Sequence, residues 1–263
     1  MTEFIHTFGA TYAVSGFVVG VLVGLTGIGG GSLMTPLLIL IFGVPPATAV
    51  GTDLLYAAIT KSGGTVFHGV ARSIDWRVVG RLAAGSIPVT VLTLLFLSGL
   101  DRHGTAASQL IKTVLSIALA LTAAVLIFRN YILAYYATRV AALDRRSAMV
   151  CTVIMGAVIG LLVSISSVGA GAIGAMGLIL LYPQMPMARI VGSDIAHAVP
   201  LTFVAGIGHW WLGSTDWHLL ASLLIGSLPG ILIGSYFCSR VPDGALRMIL
   251  AATLTVVALR LML

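Results

Sequence analysis

Charge is nearly absent from this sequence. Asp, Glu, Lys and Arg make up 8% of its 263 residues, against roughly 25% in a soluble domain. So little charge excludes a water-exposed globular surface. With 59% hydrophobic residues and a mean hydropathy of +1.10, the chain reads as an integral membrane protein with no separate soluble domain. Cysteine is scarce too. Cys151 and Cys238 lie in or beside apolar runs, and their spacing suggests neither a metal knuckle nor a disulfide framework, so both read as buried structural thiols. A basic stretch is missing before the first apolar run, where Glu3 and His6 stand. No cleaved signal peptide is expected, and the chain is expected to insert through its own helices. Nucleotide and hydrolase motifs are missing as well. Gly27-x-Gly29 lacks the third glycine of a dinucleotide fingerprint, no Lys-Ser/Thr follows it, and neither H-E-x-x-H nor G-x-S-x-G fits. No cofactor, metal or catalytic residue is expected. The net charge of +6 sits in loops between apolar runs, a pattern of positive-inside topology rather than of nucleic-acid binding; the expected partners are the bilayer and a small anion.

What is present is a repeat. Val50-Gly51-Thr52-Asp53 returns as Val191-Gly192-Ser193-Asp194, His68 as His209, Asp75-Trp76 as Asp216-Trp217, and Gly85-Ser86-Ile87-Pro88 as Gly226-Ser227-Leu228-Pro229. Each match lies 141 residues from its partner, as Gly51 does from Gly192, which reads as a gap-free duplication of half the chain. In a membrane protein of many spans, a two-fold repeat is the mark of many transporters.

Apolar segments are expected near 9–27, 31–43, 47–69, 78–99 and 107–129, then near 148–167, 171–183, 188–212, 217–238 and 242–262. The fold class is therefore all-α and polytopic, with five segments per half. The first repeat is assigned to residues 1–138, a charged linker on the cytoplasmic side to 139–146, and the second repeat to 147–263. An odd number of segments makes the second half enter the membrane from the opposite side, so the repeats are inverted. Charge supports this. With both termini outside, Arg72, Arg77, Arg81, the linker arginines, Arg189, Arg240 and Arg247 fall inside, and Arg102 falls outside.

The second segment of each half is too short to span. Each follows a break rich in small residues: Thr26-Gly27-Ile28-Gly29-Gly30-Gly31-Ser32 and Ser166-Ser167-Val168-Gly169-Ala170-Gly171. Short, glycine-interrupted segments at matching places in two halves point to a binding site at the midplane. A helix N-terminus offers unpaired N–H groups and a partial positive charge, and glycine lets an anion come close. Gly29, Gly30, Gly31 and Ser32 are expected on one side of an anion site, and Gly169 and Gly171 on the other. The competing reading is close helix packing through small residues.

Charge at membrane depth costs about 2.5–3.5 kcal/mol on insertion scales, yet the third segment carries Asp53, Lys61 and His68. Asp53, Ala57, Thr60, Lys61, Gly64 and His68 share one helical stripe, matched by Asp194, Ala198, Leu201, Thr202, Ala205 and His209. Lys61 has no basic twin. It is read as a substrate contact, or as a structural partner of Asp53 two turns (about 12 Å) away. Thr52 and Ser193 are expected near the substrate. Asp53 and Asp194 serve either as helix-start dipole partners or as protonatable coupling sites. His197 is either a proton-coupling group or a helix–helix hydrogen bonder. Pro200 should kink the eighth segment and free a carbonyl, a gating role. His68 and His209 read as interfacial, and Trp76, Trp210, Trp211 and Trp217 as an aromatic belt.

Gly27-Ile28-Gly29-Gly30-Gly31 with Pro36-Leu37-Leu38, then Ala49-Val50-Gly51-Thr52-Asp53, resembles the sulfite exporter TauE/SafE (TSUP) family. The likeness extends through Val191-Gly192-Ser193-Asp194 and Gly226-Ser227-Leu228-Pro229-Gly230. It implies a carrier of the bacterial inner membrane that exports sulfite, sulfoacetate or related organosulfur anions. Three functions compete. The leading one is a secondary transporter of a small oxyanion working by alternating access, with the proton gradient as the drive and a homodimer allowed. A passive anion channel would use the same cavity. An intramembrane hydrolase built on Ser32, His68 and the aspartates leaves the inverted duplication unexplained.

Overall fold

The computed structural model describes residues 2–26, 31–70, 72–99, 105–140, 144–237 and 243–262. These form ten helices in chain order: α1 (Thr2–Thr26), α2 (Gly31–Leu40), α3 (Pro46–Val70), α4 (Trp76–Gly99), α5 (Thr105–Val140), α6 (Arg145–Ser166), α7 (Ala172–Leu181), α8 (Met187–Trp211), α9 (Trp217–Phe237) and α10 (Asp243–Met262). No strand occurs among the described residues. Among the described residues, five helices are long and apolar enough to cross a membrane: α4, α6, α8, and the parts of α5 and α9 spanning Ser108–Tyr136 and Trp217–Gly234. The protein is an all-α membrane protein of many spans. α5 runs on to Val140 and α6 starts at Arg145, so the linker assigned to 139–146 is helical at both ends; 141–143 lie outside the described residues.

The duplication is visible in the helix bounds. α2 and α7 are ten residues each and α3 and α8 are 25 each, and both pairs start and stop 141 residues apart. Helix starts repeat as well. Asp75 Oδ1 accepts from the backbone N–H groups of Arg77 and Val78, and Asp216 Oδ1 accepts from that of Leu219. The duplicated Asp-Trp pair is thus the start signal of α4 and α9, satisfying N–H groups that a helix end leaves open. Asp144 caps α6 in the same way, accepting from Arg146 N; hydrogen bonding from the Ser147 hydroxyl holds its carboxyl below the usual carboxylate range.

The repeat is not gap-free throughout. Gly16 and Gly20 of α1 pack on the backbones of Leu223 and Ser227, and Gly156 and Gly160 of α6 pack on those of Leu82 and Ser86. Leu223 and Ser227 are the twins of Leu82 and Ser86, so Gly16 answers to Gly156 at a spacing of 140, not 141. The second break therefore holds one residue more than the first. These contacts advance together along both chains, so α1 runs parallel to α9 and α6 parallel to α4. A Cβ on Gly85 or Gly226 would run into the backbone carbonyl of Val153 or Ala13, which is why the packing tolerates only glycine there.

α3 and α8 form the centre. Gly206 packs on Leu55 and Gly64 on Ile195, so the two helices run antiparallel. Equivalent helices of opposite direction are the geometry of inverted repeats. Tryptophans mark the helix ends: Trp76 and Trp217 open α4 and α9, Trp210 and Trp211 close α8, and all four are exposed, as an aromatic belt requires. Cys151 is half-buried and unpaired; Cys238 lies outside the described residues.

Candidate functional site

The repeated phrase Val-Gly-Thr/Ser-Asp fastens one repeat to the other. The backbone N–H of Asp75 donates to Ser193 Oγ at 2.8 Å, and that of Asp216 donates to Thr52 Oγ1 at 3.0 Å. Gly192 abuts the Ser73 carbonyl and Gly51 the Ser214 carbonyl, where a Cβ would collide. The glycine permits the approach, and the hydroxyl receives the opposite repeat's turn. Ser193 Oγ also donates to Arg189 O at 2.7 Å. Thr52 and Ser193, expected near the substrate, thus have their hydroxyls committed to the two ends of the α3–α8 pair.

The aspartate after each hydroxyl faces the interior. Asp53 is fully buried two turns inside α3. It caps no helix end; its Oδ2 accepts from Thr35 Oγ1 of α2. Its Oδ1 has no hydrogen-bond partner, and Ser167 Oγ lies nearby without meeting hydrogen-bond geometry. Asp194 is buried against Gly174 of α7, and its Oδ1 also lacks a partner.

Lys61, only 8% exposed, reaches out of the first repeat and donates Nζ to the carbonyl of Ala170, in the second break, at 3.2 Å. The direct Asp53–Lys61 bond weighed from the sequence is replaced by this contact. Lys61 stands within Coulombic reach of Asp194, Asp53 and His197, most strongly of Asp194. His197 is fully buried; its ring Nε2 lies 2.9 Å from Ser86 Oγ of α4, and Nδ1 has no partner. Pro200 sits within α8 and leaves the buried Ala196 carbonyl without its helical donor.

The second break is built for conformation rather than packing. Ser167 takes a left-handed backbone at φ 59°, and Gly169 and Gly171 have φ of 124° and 137°. A Cβ on Gly169 would meet its neighbours only at ordinary contact distances of 3.7–3.9 Å. Glycine is needed there for φ, a conformation side chains disfavour. α7 then starts at Gly171 with no side-chain cap. In the first break, Gly29 and Gly30 lie outside the described residues; Gly31 and Ser32 open α2.

The structure therefore gathers Lys61, Asp53, Asp194, His197 and the Ser167–Gly171 break, and leaves Thr52 and Ser193 at the ends. Asp53 Oδ1, Asp194 Oδ1, His197 Nδ1 and Ser167 Oγ are buried polar atoms without partners, which native proteins keep rare outside functional sites. With Lys61 charged and both carboxylates ionised, the cluster carries net −1; each proton taken up moves it one unit toward positive. Ser86, Thr35 and Ser167 were not singled out from the sequence. Ser86 stands inside the duplicated Gly-Ser-Ile-Pro and Ser167 inside the second small-residue break, signals that were available; Thr35 carries none. His209 is buried rather than interfacial, its Nε2 2.8 Å from the Ser164 carbonyl, because α6 covers that end of α8.

Comparison with known proteins agrees with this architecture. The family model for the sulfite exporter TauE/SafE matches residues 12–261. The chain is 39% identical over 249 residues to the probable membrane transporter protein YjnA of Bacillus subtilis (strain 168), covering 94% of this chain and 96% of that one. It is 27% identical to the probable membrane transporter protein YdhB of the same organism, over 94% and 97% of the two chains. It is 26% identical to the probable membrane transporter protein MJ0441 of Methanocaldococcus jannaschii, over 95% and 94%. No solved structure matches the chain. The chain is a membrane transporter and belongs to the sulfite exporter TauE/SafE family.

Proposed function

We propose that the protein is a proton-coupled secondary transporter that exports a small oxyanion, with sulfite or an organosulfonate such as sulfoacetate as the leading substrates. The observation that carries this reading is the bond from buried Lys61 to the Ala170 carbonyl, which joins the one cation of α3 to the strained break of the opposite repeat. An anion able to take that ammonium in place of a carbonyl would lie against Ser167–Gly171 and the start of α7.

Asp53 and Asp194 supply the coupling. Ionised, they oppose a second negative charge beside Lys61; protonated, they allow it. Anion and protons then move together, and the sum of the two gradients sets the direction: outward transport requires that an anion made inside outweigh the inward pull on the protons. Alternating access needs each end of the α3–α8 pair to open in turn. The Asp75–Ser193 bond closes the inner end and the Asp216–Thr52 bond the outer, with His197 and Pro200 at the flexing part of α8. We place the protein in the cytoplasmic membrane of a bacterium, both termini on the outer face, the arginine-rich turns inside, and 1–138 and 147–263 as the two transport repeats about the linker.

Counterflow in proteoliposomes tests the reading. Liposomes preloaded with sulfite should take up labelled sulfite transiently above equilibrium, with a saturable rate. A non-saturating flux without counterflow would mean a channel and would overturn it.

A further inference from the structure

A second feature lies apart from this cluster. Asp75, Arg77, Val78, Arg81, Ala148, Tyr182 and Met185 line a cavity of about 390 Å³ where α4 and α6 begin and the α7–α8 turn passes. Arg81 is half-buried and donates Nη1 to Tyr182 Oη at 3.1 Å; that phenol lies 2.7 Å from Thr152 Oγ1. The hydrogen-bonded partner of Arg81 is thus neutral and leaves its charge uncompensated. The one acid on the wall, Asp75, is engaged at the start of α4 by the Arg77 and Val78 N–H groups. Arg77 stands exposed at the rim.

The duplication supplies an internal control. At the other face, Asp216, His218, Leu219 and Ser222 take the places of Asp75, Arg77, Val78 and Arg81, and Ile41 and Val44 those of Tyr182 and Met185. The acid that starts the helix is kept and both arginines are gone, while Tyr12, the counterpart of Thr152 at the spacing of 140, brings a phenol within Coulombic reach of Asp216. The repeated frame therefore stands without the arginines. Positive-inside bias explains which face holds arginine, but not why Arg81 is turned inward onto a tyrosine at the back of a cavity.

The geometry points to a second oxyanion site in this cleft, distinct from the Lys61 cluster, in which Arg77 and Arg81 hold a sulfate- or phosphate-type group and Tyr182 orients Arg81. Two guanidinium groups suit a planar or tetrahedral oxyanion. The cavity is large enough for a free anion or for the headgroup of an anionic lipid. Its wall residue Asp75 bonds Ser193, next to Asp194, so an occupant would sit at the inner end of the α3–α8 pair.

The test is equilibrium binding of radiolabelled sulfate to the full chain in phosphatidylcholine nanodiscs, with native mass spectrometry of protein prepared with phosphatidylglycerol. Sulfate should bind the wild type, still bind Lys61→Ala, bind the Arg77→Gln/Arg81→Gln variant about tenfold more weakly, and bind Arg146→Gln, an exposed arginine outside the cleft, as it binds wild type. Retention of phosphatidylglycerol by wild type and its loss from the double variant, without sulfate binding, would support the same site with lipid as the source. Should the double variant not fold, Arg77→Gln alone, at an exposed position, should still weaken binding severalfold. The proposal is overturned if neither ligand depends on the two arginines, if Arg146→Gln weakens binding as much, or if Lys61→Ala alone removes it.

Discussion

Residues 31–70 and 172–211 fold into the same pair of helices, ten and 25 residues long, and hold an aspartate at the same depth. Yet the first pair carries Tyr56 and Lys61 where the second carries His197 and Thr202. Asp53 is held by Thr35, whereas Asp194 faces Gly174 and Lys61. What the halves share is architectural: the helix bounds, the Asp-started turns, the glycines under carbonyls, and the reciprocal bonds of Asp75 to Ser193 and Asp216 to Thr52. Where they differ, the difference falls on groups that carry or take charge. Duplication made a frame, and divergence placed one cation and one imidazole inside it.

The frame should be the costlier part to damage, and equally so on both sides. Gly85→Leu and Gly226→Leu each drive a side chain into a backbone carbonyl. Each should cost about 3 kcal/mol and lower the yield of monodisperse protein on size-exclusion chromatography to a similar extent; tolerance on one side only would break the symmetry of the α1–α9 and α4–α6 pairs.

Charge comes next. A unit charge a few ångströms away is worth several kcal/mol at an effective dielectric near 20. Protonation of the carboxylates removes negative charge beside the anion, so transport by wild type should rise as pH falls, by about tenfold across the titration, equivalent to about 1.4 kcal/mol. Asp194→Asn should flatten that profile more than Asp53→Asn, because Asp194 feels Lys61 more strongly. Rates measured in proteoliposomes across pH decide it, and an unaltered slope in Asp194→Asn would remove it from coupling.

The smallest effects belong to the two fastenings. Ser193→Ala and Thr52→Val each remove one cross-repeat hydrogen bond, worth about 1 kcal/mol, and should lower the apparent Tm by about 2–4 °C. Their functional effects should be opposite: Ser193→Ala should raise labelling of a cysteine placed at Ser73, and Thr52→Val that of a cysteine placed at Ser214, at the other end of the α3–α8 pair.

Much of this was legible in the sequence because membrane helices state their length in apolar residues. The expected bounds of α3 and α8, 47–69 and 188–212, fall within a residue of those observed. The short α2 and α7 were legible from the glycine breaks, and the opposite direction of the two repeats from the odd number of segments, with charge placement in support. Side-chain direction was not. Thr52 and Ser193 are expected near the substrate, but consecutive residues on a helix point about 100° apart, and their hydroxyls reach the opposite repeat's turns. Nor was the one-residue register change legible, since every repeated motif follows the break and only the packing of Gly16 and Gly156 reveals the shift before it. Lys61 pairing with the Ala170 carbonyl joins residues 109 apart, a contact no local pattern encodes.

We propose that the buried cation of α3, facing the opposite repeat's break, holds the anion. Labelled-sulfite counterflow by wild type, Lys61→Ala and the exchanged Lys61→Thr/Thr202→Lys protein tests it most directly, with circular dichroism confirming that each is folded. Loss of a buried charged contact costs about 2–5 kcal/mol, so Lys61→Ala should lose counterflow by about 30-fold or more, and the exchanged protein should not regain it. Counterflow at the wild-type rate in Lys61→Ala, or full activity in the exchanged protein, would contradict the account.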